Sequence, residues 1–237
     1  MTILLHLHPA RLENVAPFLY SETHPERCVG CERRSSDVLC RTCFEGLPRV
    51  GSPICGRCGL PTAFATPACG ECKNVDFGFQ SARAPLKYDG VGKEVVHALK
   101  YRGYKKVVAR LAVPLMLQVL GDGRFDAVVP VPLHRSRLRK RGFNQAELLA
   151  RGVAEGINAT VSDTLKVVRS KRDQVELSAA QRRANVAGAY RASAPLRGKI
   201  LLIDDVFTAG ATMSACATTL LRAGAQEVHA LSLCRTV

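Results

Sequence analysis

Eight cysteines stand in four pairs within residues 28–72, each pair separated by two residues: Cys28/Cys31, Cys40/Cys43, Cys55/Cys58 and Cys69/Cys72. A two-residue gap lets one tight turn aim both sulfurs at the same ion, and zinc takes four thiolates in a tetrahedron. Eight such ligands predict two zinc ions. Gly30, Gly56, Gly59 and Gly70 lie inside or beside these turns, as amides folding back towards sulfur require. Consecutive pairing (Cys28, Cys31, Cys40, Cys43, then Cys55, Cys58, Cys69, Cys72) needs only short loops, and a crossed pairing satisfies the same ligand count. His24 finds every thiolate place filled and reads as a loop histidine, while Cys216 and Cys234 stand alone in apolar surroundings and read as small core residues. Disulfides would suit a secreted miniprotein. The start, "MTILLHLHPARLENV", is a poor export signal, with no basic residues before its apolar patch and no small-residue cleavage site. Metal is therefore the expected use of the cysteines.

The second reactive stretch is "LLIDDVFTAGATM", residues 201–213. Four apolar residues run into Asp204 and Asp205, and a turn of small residues follows, Thr208, Ala209, Gly210, Ala211 and Thr212. Bare amides leading into a helix form a ready phosphate site, and small residues let the phosphate approach the backbone. Carboxylates aimed at that phosphate would repel it. They fit if they accept hydrogen bonds from neighbouring sugar hydroxyls or help to position a cation. A vicinal diol carrying a phosphate is a ribose 5-phosphate. The plain alternative is an ordinary strand–helix turn with an acidic cap.

Basic residues gather in "VVPVPLHRSRLRKRGFNQAELLA" (128–150), where His134, Arg135, Arg137, Arg139, Lys140 and Arg141 fall within eight positions. Cations of this kind hold the charge developing on a pyrophosphate leaving group. They also suit nucleic-acid phosphates, although Phe143 is the only aromatic among them, which gives base stacking little support. The whole chain shares the bias: 34 Lys plus Arg against 20 Asp plus Glu give +14. Such an excess favours polyanions or phosphorylated ligands.

These groups need a rigid support, and 47% apolar residues over 237 positions can supply a sizeable core. No apolar run approaches the ~18 residues needed to cross a bilayer, so a cytoplasmic protein without membrane insertion is expected. The cysteine module ends near Phe79 and is too short of large apolar residues to fold without metal. Beyond it, "ARAPLKY" (82–88) predicts a strand and "GKEVVHALKYRG" (92–103) a helix. A second helix is predicted over "KKVVARLAVPLMLQVL", bent or broken at Pro114. Strands are then expected at 125–132, 164–169, 199–205 and 227–234, with helices at 144–157 and 211–225. Continuous apolar strands alternating with amphipathic helices predict an α/β fold, a parallel Rossmann-like sheet covered on both faces. Ligands of such sheets bind beyond the carboxyl ends of the strands, where Asp204 and Asp205 sit.

The 201–213 stretch resembles the 5-phosphoribosyl-1-pyrophosphate (PRPP) motif of type I phosphoribosyltransferases, except that Phe207 stands where a branched aliphatic is usual. Taken with the four CxxC pairs, "LKYRG" (99–103), "RGFNQ" (141–145) and "QRRANVAGAY" (181–190), it resembles the ComF family over about residues 24–237. These are competence-associated, phosphoribosyltransferase-like bacterial proteins with an N-terminal double zinc ribbon. The resemblance implies three parts: a leader at 1–23 of unassigned role, a double zinc ribbon at 24–79 and a phosphoribosyltransferase-like domain at 80–237. It implies that Asp204 and Asp205 bind the ribose 2′ and 3′ hydroxyls and that Thr208 to Thr212 bind the 5-phosphate. Arg135, Arg139 and Arg141 would face the pyrophosphate, held with Mg²⁺. Residues 169–190 would form a hood over PRPP, with Arg169, Gln174, Arg182 and Arg183 as contacts, or else their latter part is a surface helix. The family's setting implies DNA uptake, with single-stranded DNA and other competence proteins as partners. Two readings stay open: a Mg²⁺-dependent phosphoribosyltransferase, or a nucleic-acid-binding accessory protein in which PRPP is a regulatory ligand or its site a relic.

Overall fold

The computed structural model of the chain describes residues 26–73, 75–121, 123–169, 186 and 188–237. Its centre is a parallel sheet in which β7 (Lys199–Phe207) and β8 (Glu227–Arg235) are the long strands, nine residues each and almost wholly buried. β3 (Ala127–Pro130) pairs with β7, and the two-residue β4 (Thr160–Val161) lies outside β3. The far side of β8 carries β1 (Ser81–Arg83) and β2 (Leu86–Lys87). These are the two halves of the strand expected over 82–88. Ala84 and Pro85 part them, proline having no N–H for the ladder.

Because side chains alternate along a strand, the sheet has two apolar faces. Leu201, Ile203, Leu231 and Leu233 point to one, which α3 (Gly90–Tyr101), α4 (Lys105–Gln118) and α6 (Gln145–Ile157) cover. Ile200, Leu202, Val228 and Ala230 point to the other, covered by α7 (Ala211–Arg222) through Met213, Cys216, Ala217 and Leu220. Cys216 and Cys234 are both fully buried, as expected of core residues. α4 runs through Pro114 unbroken.

Two expectations are corrected. The segment 164–169 is not a strand of the parallel sheet. Its β5 (Leu165–Val167) pairs antiparallel with β6 (Tyr190–Ala192) as a separate ribbon. Leu165 is buried and Lys166 exposed, the alternation of a one-sided strand, whereas a central parallel strand is buried on both faces. The basic segment, where the family resemblance places a pyrophosphate loop, is instead a helix: Arg135–Arg141 form α5. His134 caps it by accepting from the Ser136 amide, and Gly142 ends it at φ 77°.

The cysteine module is fastened to the sheet edge. Ala82 N donates to Arg57 O at 2.7 Å, Lys87 N to Pro48 O at 2.7 Å and Val50 N to Pro85 O at 2.9 Å. The chain near Phe79 therefore marks a change of composition across which packing continues. Among the described residues no helix is long and apolar enough to cross a membrane.

At the opposite end of the strands from the carboxyl side, His229 Nδ1 lies 2.8 Å from Ser81 Oγ, and its Nε2 lies 3.3 Å from Glu227. Burial, aided by Lys199 and Arg83, holds the imidazole pKa below its usual value despite Glu227. The neutral form is thus favoured on folding. The stability it contributes is complete above about pH 6.5, the unfolded value, and is lost as pH falls through the lower folded value. Urea titrations at pH 7 and pH 5 are expected to show a smaller acid loss in His229→Gln than in the natural chain.

Candidate functional site

The carboxyl ends of β3 and β7 open into a cleft of about 300 Å³, lined among others by Lys100, His134, Arg137, Arg141, Gln145, Tyr190, Asp204, Asp205 and Thr212. Asp204 and Asp205, adjacent on β7, must point to opposite faces. Asp205 enters the face of α3 and α6 and is 5% exposed. Lys100 Nζ, from the last turn of α3, lies 2.8 Å from its Oδ1, and Gln145 Nε2, the first residue of α6, donates to its Oδ2 at 2.7 Å. Burial disfavours the Lys100 ammonium, but the Asp205 carboxylate overrides it and raises the lysine pKa above its ordinary value. Both oxygens of Asp205 are thus engaged within the protein.

Asp204 is half-buried and faces the α7 side, where its Oδ1 accepts from the Asp205 amide at 2.9 Å. Tyr190, from β6, and Thr212 stand with it on the cleft wall. Burial, then Cys216 and Asp204, push the Tyr190 phenol up, and it hydrogen-bonds with Cys216 and Thr212. It stays neutral. The turn between β7 and α7 ends at Gly210, the α7 N-cap, at φ 72° and with no side-chain cap. The positive end of a 12-residue helix therefore meets the cleft with no side chain of its own over it.

The RGFNQ segment builds the opposite wall. Arg141 Nη2 donates to Tyr101 OH at 2.9 Å, and its guanidinium lies over that ring. Gly142 ends α5. Phe143 lies under Lys105, 4.9 Å from ring centroid to Nζ. Asn144 caps α6 by accepting from the Ala146 amide, and its Nδ2 donates to Val131 O at 3.0 Å, tying α6 to the end of β3. Gln145 then reaches Asp205.

Helical period sorts the arginines of α5. Arg137 and Arg141 are four apart and both line the cleft, while Arg135 and Arg139, offset by two residues, occupy the other side and are exposed. Beside the cleft a second cavity of about 410 Å³ shares Pro132, Leu133 and Asn144 with it. Its charges are paired, Glu147 with Arg151 at 2.7 Å and Asp163 with Lys166 at 2.8 Å. It offers little to a polyanion.

The cysteines form two groups, Cys28, Cys31, Cys40, Cys43 and Cys55, Cys58, Cys69, Cys72, each with its sulfurs within 4.8 Å of one another. Pairing is consecutive. Zinc–sulfur bonds of about 2.3 Å in a tetrahedron place sulfurs about 3.8 Å apart. Four observed separations are 3.6–3.8 Å: Cys31 to Cys40, Cys55 to Cys72, Cys58 to Cys69 and Cys69 to Cys72. Amides of Gly30 and Cys40 donate to Cys28 Sγ, and that of Cys69 to Cys55 Sγ, as thiolates require. The donor set and its spacing fit two zinc ions. The first group packs on the α3 and α4 face, the second on the α7 face.

A double zinc ribbon domain model matches residues 22–73. DNA utilization protein YhgH of Salmonella typhimurium is 34% identical over 207 residues, 84% of this chain and 91% of that protein. Competence protein F of Haemophilus influenzae is 26% identical over 224 residues, 88% and 96% of the two chains. Competence protein ComFC of Bacillus subtilis is 26% identical over 217 residues, 86% of each. This chain belongs to the ComF family.

In this ComF-family chain the cleft gathers His134, Arg137, Arg141, Asp204, Asp205 and Thr212 from the residues singled out in the sequence. Ala209, Gly210 and Ala211 form the turn behind Thr212, and Thr208 is exposed at its outer edge. Arg135, Arg139 and Arg169 are exposed and not among the cleft's lining residues, while Gln174, Arg182, Arg183 and His24 lie outside the described residues. Lys100, Gln145 and Tyr190 were not among the residues singled out. Lys100, Gln145 and Tyr190 sit inside ComF segments already quoted, but pairing Lys100 or Gln145 with Asp205 needs contacts 105 and 60 residues apart (205 minus 100, 205 minus 145).

Proposed function

We propose that this ComF-family protein binds PRPP with Mg²⁺ in the cleft and acts in the uptake and use of DNA, as the names of its relatives suggest. The observation that carries the PRPP reading is one cleft shared by the Asp204 carboxylate, the uncapped start of α7 and the cations Lys100, Arg137 and Arg141. Asp204 accepts from the ribose diol, the 208–212 amides take the 5-phosphate, and Arg137 and Arg141 face the pyrophosphate. Mg²⁺, when bound with PRPP, neutralises the leaving pyrophosphate and orients it. Asp205 serves differently from its neighbour: it holds Lys100 at the cleft wall. A transfer to a nitrogenous acceptor would release pyrophosphate.

Calorimetry with PRPP and Mg²⁺ tests this reading. Asp204→Asn is expected to weaken PRPP binding at least tenfold, roughly the worth of one charge-assisted hydrogen-bond pair, with the unfolding midpoint little changed. Absence of binding in the natural chain would refute it. Pyrophosphate release from labelled PRPP with candidate acceptors separates enzyme from sensor.

A second reading, nucleic-acid binding, is favoured by one observation. Arg135, Arg139 and Lys140 are exposed, and nearby Tyr101 is 63% exposed beside Arg141. Tyr101, brought from α3, adds the stacking surface that the basic segment lacks in sequence. Arg135→Ala with Arg139→Ala should weaken single-stranded DNA binding and flatten its salt slope by about 0.7 per lost phosphate contact, leaving PRPP affinity intact. An unchanged slope would remove these arginines from any DNA interface.

A further inference from the structure

Phe207 closes β7 where type I phosphoribosyltransferases at large carry a branched aliphatic, and its ring has a use. It meets Phe79 edge-on at 6.0 Å between centroids and 74° between planes. Phe79 stacks on Phe77 at 4.9 Å and 19°. All three rings are buried. Gly210, in the turn, rests on the group: a Cβ there would come within 2.8 Å of Phe207 Cζ and 2.9 Å of Phe77 Cε1. The backbone of the turn is thus laid on two rings.

Phe77 follows Cys72, the last cysteine of the second group, by five residues. Between them the Val75 amide donates to Cys72 O at 3.3 Å. A Cβ at Gly78 would meet Thr218 Oγ1 at 2.7 Å, so this exit segment also lies hard against α7. One route from the second cysteine group to the turn is therefore a chain of packed rings.

Arg235 supplies another. It is 4% exposed and has no carboxylate partner among the described residues. Its Nη1 donates to Cys58 O, its Nε donates to Thr236 O at 3.2 Å, and its guanidinium lies 5.4 Å from the Phe207 centroid. Thr236 N in turn donates to Phe207 O at 2.9 Å. A buried guanidinium needs compensation. Four thiolates around one divalent ion leave a net negative charge beside the carbonyl that Arg235 binds.

We propose that the second cysteine group, through Phe77, Phe79 and Arg235, sets the conformation of the Thr208–Thr212 turn, making these three positioning residues for the ligand's 5-phosphate. The inference rests on the reading of that turn as the 5-phosphate site. The first cysteine group reaches a different wall. Arg102, just past α3, donates to Val29 O at 3.0 Å.

Amide hydrogen exchange on the full, two-zinc chain without ligand tests the coupling, and calorimetry with PRPP and Mg²⁺ accompanies it. Phe77→Leu and Arg235→Met are each expected to speed exchange roughly tenfold at amides 214–216, where the turn closes into α7 with Ser214 N on Gly210 O at 2.8 Å, and to weaken PRPP by a similar factor. Both zinc equivalents and α3 exchange should be retained. Val29→Ala should alter exchange at 98–102 and spare the turn. Unchanged turn exchange in folded Phe77→Leu and Arg235→Met overturns the inference, as does a uniform acceleration along the chain. Were the natural chain to take up no PRPP, the phosphate reading would fail, and exchange would still judge the coupling by itself.

Discussion

Lys100→Met is expected to destabilise the protein by about 3–5 kcal/mol, because it strands a buried carboxylate. The side chains of Lys100 and Asp205 are 15% and 7% exposed, so water from the cleft replaces the lost partner only in part, and the Gln145 amide remains as a single neutral donor. Urea unfolding measures the loss. The control is Lys100→Met combined with Asp205→Leu, which removes both charges and should recover most of the stability, since replacing a buried pair by apolar groups is often close to neutral. A single Lys100→Met of unchanged stability would show that the pair is not closed in solution. The same geometry separates the two aspartates. Asp205→Asn should lower stability and PRPP affinity together through the displaced lysine, whereas Asp204→Asn should lower affinity alone.

The second large effect concerns the metal. Cys55→Ser is expected to reduce zinc from two equivalents to one and to lower stability by more than about 4 kcal/mol, the range reached when a structural metal is lost. Composition alone would confine that damage to residues before about 80. The packing extends it. Cys55 and Cys58 share a core with Phe79, Leu202 and Leu220, and Arg57 is hydrogen-bonded into β1. A loss of cooperative unfolding in the sheet, followed by circular dichroism beside zinc analysis, is the expected outcome. A variant with one zinc and an unaltered sheet transition would show the module to be an independent unit.

Much of the site was legible because the residues concerned are local. Cysteines with two residues between them close one turn, and a strand ending in acids and small residues declares a strand–turn–helix junction without reference to the rest of the chain. The central strands were legible because burial on both faces leaves uninterrupted apolar runs. The misreadings have equally definite causes. The 164–169 segment carries enough valine and leucine to read as a sheet strand, and its partner β6 was unremarkable in sequence. α5 was hidden by its own charge, since a helix with no buried residue has no apolar stripe; its cap His134 and stop Gly142 were the signals available.

The sequence by itself determined the eight metal-ligand cysteines, the parallel α/β class and the placing of Asp204, Asp205 and the small-residue turn at a strand end. Each follows from spacing along the chain, through the reach of a tight turn or the periods of helix and strand. Tertiary structure alone decided that the cysteines group consecutively, that adjacent Asp204 and Asp205 meet different surroundings, with Lys100 and Gln145 on Asp205, and that aromatic rings beyond the cysteines underlie the turn. Those outcomes depend on which surfaces meet across the sheet, and contacts between distant residues leave no period in the sequence to read.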